Sequence, residues 1–439
     1  MILNEEQMKV VKSKDPFIFL LAGAGSGKTR VIVERIKSLL TEGVKPQDIL
    51  AITFTRKASH EMKERLHEDG LAIHTFHQLA YITLKEDLHM AFELIDERVL
   101  DHYTQDQLLQ ITMYKNSLYK TRKPKIYVAY QEELKQYQQV DYDDLLILFY
   151  KALQKGQISF SYRYIFIDEF QDTNLLQYEC LKKLIKHSTH VLAVGDPDQS
   201  IYQFRGASSR IIDQYVKDYH AKVEKLTYNY RSYQSIIIAA NRLIKRNNRS
   251  YKKELKPTHN KAGGVFSLHF KDDENEALWL ISQIKLANQK GISFDEIAIL
   301  YRNHHRAYQL MMTLHDMHIP FTIHDDETSE QDGISLLTIH QAKGLEFDLV
   351  FIIGCEDHLL PSRRINQISA LEEERRLMFV AMTRAKHILC LTHISHDGQN
   401  HHFTSSPFIL ESGIKSSNPQ RISDIISLGD ENGHQKTHR

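Results

Sequence analysis

Cysteine is scarce and scattered. The three residues, Cys180, Cys355 and Cys390, include no C-x-x-C pair. That spacing excludes a disulfide framework and a structural zinc site, and it fits a reducing compartment. Neither charge sign is in surplus, since Lys and Arg total 56 and Asp and Glu also total 56. Net charge is therefore silent about a polyanionic partner, and any basic surface has to be local. No apolar run is long enough to span a membrane, and the N-terminus is polar from its fourth residue. A soluble, cytoplasmic protein with no membrane partner is the expectation. Histidine, by contrast, is plentiful: its 25 copies add positive charge below about pH 6.5. The 439 residues suffice for two or three domains.

Chemistry concentrates first at Ala22-Gly23-Ala24-Gly25-Ser26-Gly27-Lys28-Thr29. An apolar run, Phe17 to Leu21, precedes it and reads as a buried strand. Val31, Ile32, Arg35, Ile36, Leu39 and Leu40 follow at helical spacing. Strand, glycine loop and helix together are the setting of a P-loop. Glycines let successive N–H groups point inward at phosphates, and the helix N-terminus adds partial positive charge. In such a loop Lys28 reaches the β- and γ-phosphates and Thr29 ligates Mg²⁺, so ATP with Mg²⁺ is the expected cofactor. A second strand, Tyr164 to Ile167, runs into Asp168 and Glu169. There Asp168 holds Mg²⁺ through water and Glu169 polarises the attacking water. A third apolar run ends in Gly195-Asp196-Pro197-Asp198-Gln199, followed by a loop carrying Tyr202, Phe204 and Arg205.

Two further loops combine hydroxyls with aromatic rings: Thr53-Phe54-Thr55-Arg56 and His74-Thr75-Phe76-His77. Hydroxyls and cations hold phosphates while rings stack on bases, which suits a single nucleic-acid strand. Phe54 and Phe76 are equally readable as core residues. Residues 1–83 and 141–224 form one parallel α/β core, with 84–140 a small helical insertion carrying a basic loop, Lys120 to Lys125. Residues 225–412 form a second α/β core with strands near 265–270, 297–301, 335–339, 349–353 and 388–392. Seven basic residues between Arg242 and Lys256 are either a solvated face or a DNA-facing stripe. From residue 413 the chain turns polar and reads as a flexible tail.

The stretches LNEEQ, AGAGSGKT, TFTRKAS, DEFQDTN, GDPDQSIYQFRGA and LTYNYRS resemble, in order, the motifs of the superfamily 1 DNA helicases of the UvrD/Rep/PcrA type. LTIHQAKGLEF and EERRLMFVAMTRA continue the match to residue 385. The resemblance implies two tandem RecA-like P-loop cores with ATP in the cleft between them. It implies an ATP-dependent helicase that translocates on single-stranded DNA with 3′-to-5′ polarity, and a role in repair or replication restart. In residue terms it places Gln7 on the adenine edge, Tyr230 on the ring, Arg30 near the nucleotide and Glu346 at the ribose. It makes Arg231 and Arg384 arginine fingers and Gln199 a γ-phosphate sensor. Phe54, Phe76 and Phe204 become stacking rings, and Thr55, Arg205, Thr338 and His340 phosphate contacts, with Thr53, Arg56 and His74 in the same loops.

Arg56, Phe204 and Phe379 stand where the family more often has Asn, Trp and Tyr. Only His304 to Gly333 separates the strand ending at Tyr301 from the TIHQAKG motif, so the large accessory domain is absent. A partner or self-association is then expected for processive unwinding at single-strand/duplex junctions. The alternatives are a translocase or motor subunit that strips proteins from DNA, and an ATP-switched scaffold. An Asp397-Gly398 turn between two short arms reads as a hairpin in which Phe403, His401 or His402 presents a strand-separating ring.

Overall fold

The computed structural model describes residues 3–95, 100–185, 189–261, 263–323, 333–362, 368–397, 401–419 and 424–427. The chain forms two units, one of Met1–Ala22 with Gly27–Leu226, the other of Gly23–Ser26 with Thr227–Arg439.

The first unit is built on six strands: β1 (Phe17–Ala22), β2 (Ile49–Thr53), β3 (Ala72–Thr75), β4 (Tyr164–Ile167), β5 (His190–Gly195) and β6 (Lys222–Leu226). They lie in the order β3-β2-β4-β5-β1-β6, every pairing parallel. A parallel sheet covered on both faces needs continuous apolar strands. β2 is buried at all five residues, and β1 and β5 at all but their first. Helix Lys28–Thr41 buries Val31, Ile32, Ile36 and Leu39 against this sheet. Because strands with apolar cores stop where the chain leaves the sheet, the polar residues at their C-terminal ends gather along one edge.

The insertion holds helices Gln105–Asn116 and Tyr127–Gln136 around a small cluster of Ile95, Tyr103, Ile111, Tyr130 and Leu134. A two-residue parallel pairing of Glu93–Leu94 with Gln139–Val140 closes it. Beneath it, helix Tyr142–Gln154 buries Leu145, Leu146, Ile147 and Phe149.

The second unit has seven strands: β7 (Gly264–Phe270), β8 (Ile297–Tyr301), β9 (Phe321–Ile323), β10 (Ile334–Thr338), β11 (Phe347–Ile352), β12 (Ala385–Ile394) and β13 (Ser416–Ser417). Their order is β9-β10-β8-β11-β12-β7-β13, again parallel throughout. Its core includes Leu268, Ile299, Leu336, Phe351 and Cys390. Arg306 sits inside this unit between two buried carboxylates, 2.8 Å from Glu276 and 3.1 Å from Glu356.

Beyond residue 412 the described residues, 413–419 and 424–427, depart from the expectation of a flexible tail, and the rest of that stretch lies outside the described residues. β13 pairs with the outer edge of β7, and Ile425 and Ile426 are buried in the second unit's core. Two isoleucines among polar neighbours gave too short a signal to read as core. Among the described residues, no helix is long and apolar enough to cross a membrane.

Candidate functional site

The glycine loop runs out of β1 into helix Lys28–Thr41. That helix begins at Gly27 in a left-handed conformation (φ +80°) with no side-chain cap, which leaves its first N–H groups for an anion. Within the second unit, Asn229 donates from Nδ2 to the Ala24 carbonyl at 2.7 Å, and the Tyr230 amide donates to the Gly25 carbonyl at 2.8 Å. A Cβ on Gly25 would lie 2.6 Å from Asn229 Nδ2 and 2.7 Å from Arg231 Cβ, so only glycine fits there.

Lys28 Nζ lies 2.8 Å from Glu169 Oε1, and Thr29 Oγ1 donates to Asp168 Oδ2 at 3.2 Å. Burial works against the Lys28 ammonium, but the charges of Glu169, Asp168 and Asp196 outweigh it and hold its pKa above the usual lysine value. Burial, then the neighbouring Glu169 charge, raises Asp168 to about 6. Glu169 does not end the network. Gln171 donates from Nε2 to Glu169 Oε2 and Asp172 Oδ2, and its Oε1 accepts from the Asp196 amide at 2.8 Å. Asp196 Oδ2 in turn accepts from Gln199 Nε2 at 2.6 Å. From Gln199 the chain runs directly into the loop of Tyr202, Phe204 and Arg205. Sequence reasoning gave Gln171 and Asp196 no role. Their signal was position: each is a polar residue set just beyond an apolar strand.

Gln7 lies 2% exposed, and its Oε1 accepts from the Asn4 amide at 3.1 Å in a capping box. This fixes the amide, with Nε2 3.0 Å from where a Cβ on Gly27 would sit. Arg30 follows two residues into the same helix.

A second constellation lies on the same unit. The Phe54 and Tyr202 rings stack at 5.1 Å, Phe204 is 6.0 Å from Tyr202, and the Arg205 guanidinium lies 5.8 Å from the Tyr202 ring and 5.5 Å from that of Phe204. Thr55 and Arg56 are exposed beside Phe54. Tyr202, named in this loop from the sequence but given no stacking role there, joins the row.

Several expectations change. Phe76 is 6% exposed, so its ring belongs to the core: as the first residue of helix Phe76–Ile82 it points under the helix. Thr53 is buried, its hydroxyl donating to the Thr55 carbonyl at 3.0 Å, and so it shapes the loop. His74 is half-buried, and burial together with Lys63 lowers its pKa.

In the second unit Arg384 is 2% exposed and donates to the carbonyls of Val380 at 2.9 Å and Leu345 at 3.1 Å. Arg231 donates to Glu346 at 2.5 Å and to the Thr383 carbonyl at 3.2 Å, so the residues expected at phosphate and ribose are paired with each other. Thr338 shares hydrogen bonds with Gln341, and His340 is half-buried next to it. The basic stretch 242–256 is not one face, since Lys253 turns inward with Cε near Gly23. The hairpin arms pair, His396 with His402 and the Phe403 amide with the Ser395 carbonyl at 2.8 Å. Its turn, 398–400, lies outside the described residues. Phe403 is half-buried with its ring packed against the core, while His401 and His402 are exposed.

Comparison with known proteins agrees with this geometry. Residues 3–121 and 88–220 match the UvrD/REP helicase N-terminal domain, and residues 224–328 and 323–396 match the UvrD-like helicase C-terminal domain. The chain belongs to the UvrD-like helicases. This places it in the class of ATP-dependent DNA helicases, whose two RecA-like cores are the two parallel sheets described above. The helicase is 32% identical over 465 residues to a probable DNA helicase of Mycoplasma pneumoniae, covering 93% of this chain and 86% of that one. It is 36% identical over 361 residues to the ATP-dependent DNA helicase PcrA of Bacillus subtilis, and 33% over 370 residues to PcrA of Leuconostoc citreum. These matches cover 71% and 73% of the chain, which spans about half the length of both PcrA proteins, 49% in each case.

Proposed function

We propose that this chain is a motor that hydrolyses ATP to move along single-stranded DNA and to part short duplexes, moving 3′ to 5′ in repair or replication restart in the cytoplasm. The observation that carries the reading is the continuous polar path in the first unit. It runs from Lys28 through Glu169, Gln171 and Asp196 to Gln199, and the chain then leads straight to the Tyr202–Phe204–Arg205 row. One end has the chemistry of phosphate recognition, the other that of base stacking.

In this arrangement Lys28 neutralises Glu169. A nucleotide phosphate that draws the Lys28 ammonium away leaves Glu169 as a carboxylate oriented by Gln171, ready to take a proton from water. Loss of the phosphate restores the ion pair, and Gln199 lies on the path along which that change is felt. Thr29 and Asp168 offer a hydroxyl and a carboxylate oxygen within 3.2 Å of each other, hard donors of the kind Mg²⁺ prefers. Mg²⁺ held there supplies charge neutralisation at the transferred phosphate. Arg231 and Arg384 are proposed fingers, and recruiting them requires them to exchange their present carbonyl and carboxylate partners for phosphate.

Steady-state ATPase assays with single-stranded DNA, duplex DNA and RNA at several salt concentrations test the reading. Stimulation by single strands that falls as salt rises is expected. A rate indifferent to every nucleic acid would reject the motor and favour an ATP-switched scaffold.

A further inference from the structure

One polar cluster of the first unit has no task in that motor. Lys115 is fully buried at the end of helix Gln105–Asn116, its Nζ 2.6 Å from Asp141 and 2.8 Å from Asp144. Asp141 also accepts from the Tyr130 hydroxyl at 2.7 Å and from the Asp144 amide at 2.7 Å, as the cap of helix Tyr142–Gln154. Asp143 hydrogen-bonds the side chains of Thr112 and Asn116. A buried ion network of this kind adds little stability over apolar packing, and what it provides is fixed geometry.

The group it fixes is Asn116. This residue is 4% exposed, and its Nδ2 donates to the main-chain carbonyl of Arg205 at 3.4 Å. Its Oδ1 is buried with no hydrogen-bond partner, which is a poor choice if stability alone were served. The Arg205 carbonyl belongs to the one-turn 3₁₀ segment Gln203–Arg205, which closes at Gly206 (φ +89°). A Cβ on Gly206 would lie 3.3 Å from Asn116 Cβ, so the fit is close. Three residues of 3₁₀ helix do not hold their own shape. This segment is held from outside, by an antiparallel bridge between Asn174 and Ala207 on one side and by Asn116 on the other. Phe204 stands on it, 37% exposed.

We propose that Asn116 is a positioning residue for single-strand binding, through which the helical insertion sets the turn that carries Phe204 and Arg205. This rests on the reading of the aromatic row as the strand-binding face. The insertion is then part of the strand-gripping device: Lys115 and the aspartates hold Asn116, and Asn116 holds the turn.

The test uses the full chain and a fluorescent oligothymidine. Asn116→Asp keeps the side chain's size and removes the donor. Three results are expected together: about tenfold weaker binding, within the range for a lost base stack, an unchanged DNA-free ATPase rate, and faster hydrogen exchange at the amides of Arg205 and Gly206. The salt slope of binding should match wild type, because no phosphate contact is removed. The double variant Asn116→Asp/Asp143→Asn restores a donor–acceptor pair between those two side chains but none toward Arg205, so its binding should stay weak. Recovery in the double variant would reduce Asn116 to packing and overturn the inference, as would wild-type affinity and exchange in Asn116→Asp. Asn116→Ala gives the same readings should the added carboxylate unfold the chain. Wild-type protein that does not bind the oligonucleotide overturns the reading of the aromatic row itself, a result distinguishable from the others.

Discussion

Lys28 and Glu169 share one ion pair, yet their loss should look different. Glu169→Gln keeps a hydrogen-bonding side chain beside Lys28 and removes the base, so DNA-stimulated turnover should fall by roughly 10²- to 10⁴-fold with ATP still bound. Lys28→Ala should weaken nucleotide affinity as well. Equilibrium binding of a fluorescent ATP analogue to both variants separates the two, and near-normal turnover by Glu169→Gln would remove it as the base. The two phenylalanines of the aromatic loops should part in the same way. Phe204→Ala should lose about 1–3 kcal/mol of single-strand binding with stability nearly unchanged. Phe76→Ala should instead cost about 3–5 kcal/mol of folding stability, because its ring is core. Denaturant melts with anisotropy titrations read both, and a Phe76→Ala chain that melts like wild type while binding poorly would reverse the assignment. Sequence alone left Phe54 and Phe76 equivalent, since a Thr-Phe step looks the same whether its ring turns out or under. In the structure Phe76 opens helix Phe76–Ile82 and is buried, whereas Phe54 is half-buried and stacks on Tyr202, in the row that carries Phe204.

At the scale of elements, buried charge ties helices to sheets. In the second unit Arg306, on helix His304–Asp316, bridges Glu276 on helix Asp273–Gln289 and Glu356 beyond β11, and Glu356 also accepts from the Ile394 amide at 3.0 Å on β12. Arg306→Met should therefore cost about 3–5 kcal/mol, because two carboxylates remain buried without their cation. Replacing both carboxylates by Gln in the same chain should recover much of it, and guanidinium melts of the three proteins measure this.

In the first unit, burial and then the Asp141 charge raise Asp143 to about 7. A carboxyl whose folded pKa lies above its unfolded value binds more protons when folded. Its contribution to stability is present at low pH and is lost as pH rises from about 4 through about 7. The stability difference between Asp143→Asn and wild type should accordingly shift in the variant's favour over that window. A difference independent of pH would place the Asp143 pKa near its ordinary value.

The strands of both sheets were legible because an apolar run that breaks into a polar loop fits a buried parallel strand and little else. The edge strands β3, β6, β9 and β13 were not, since an edge needs only alternate or short apolar contact: β6 reads Lys-Val-Glu-Lys-Leu, and β3 ends in His74-Thr75, which reads as loop. Nor were Lys115 and the aspartates legible as a cluster, because a lysine at a helix end usually signals solvent.

For the whole molecule, a net charge of zero is compatible with the proposed nucleic-acid face, since Arg56 and Arg205 lie beside the Phe54, Tyr202 and Phe204 rings. The path from β8 to β10, residues 302–333, holds one helix and β9 among its described residues and is too short for a large accessory domain in that place. Robust single-strand translocation with weakly processive unwinding by a monomer is the expected outcome, measured by single-turnover unwinding of short and long tailed duplexes with a trap. Efficient opening of a long duplex by a proven monomer would remove the need for a partner. The order of strands in the first sheet also bears on how this chain is made. β1, which leads into the glycine loop, is flanked by β5 and β6, the last two strands of its unit to leave the ribosome. A nascent chain arrested short of Leu226 carries the whole glycine loop but not the sheet that holds it in shape. Such ribosome-bound chains should ignore an immobilised ATP analogue, and capture should begin only once β6 has cleared the exit tunnel.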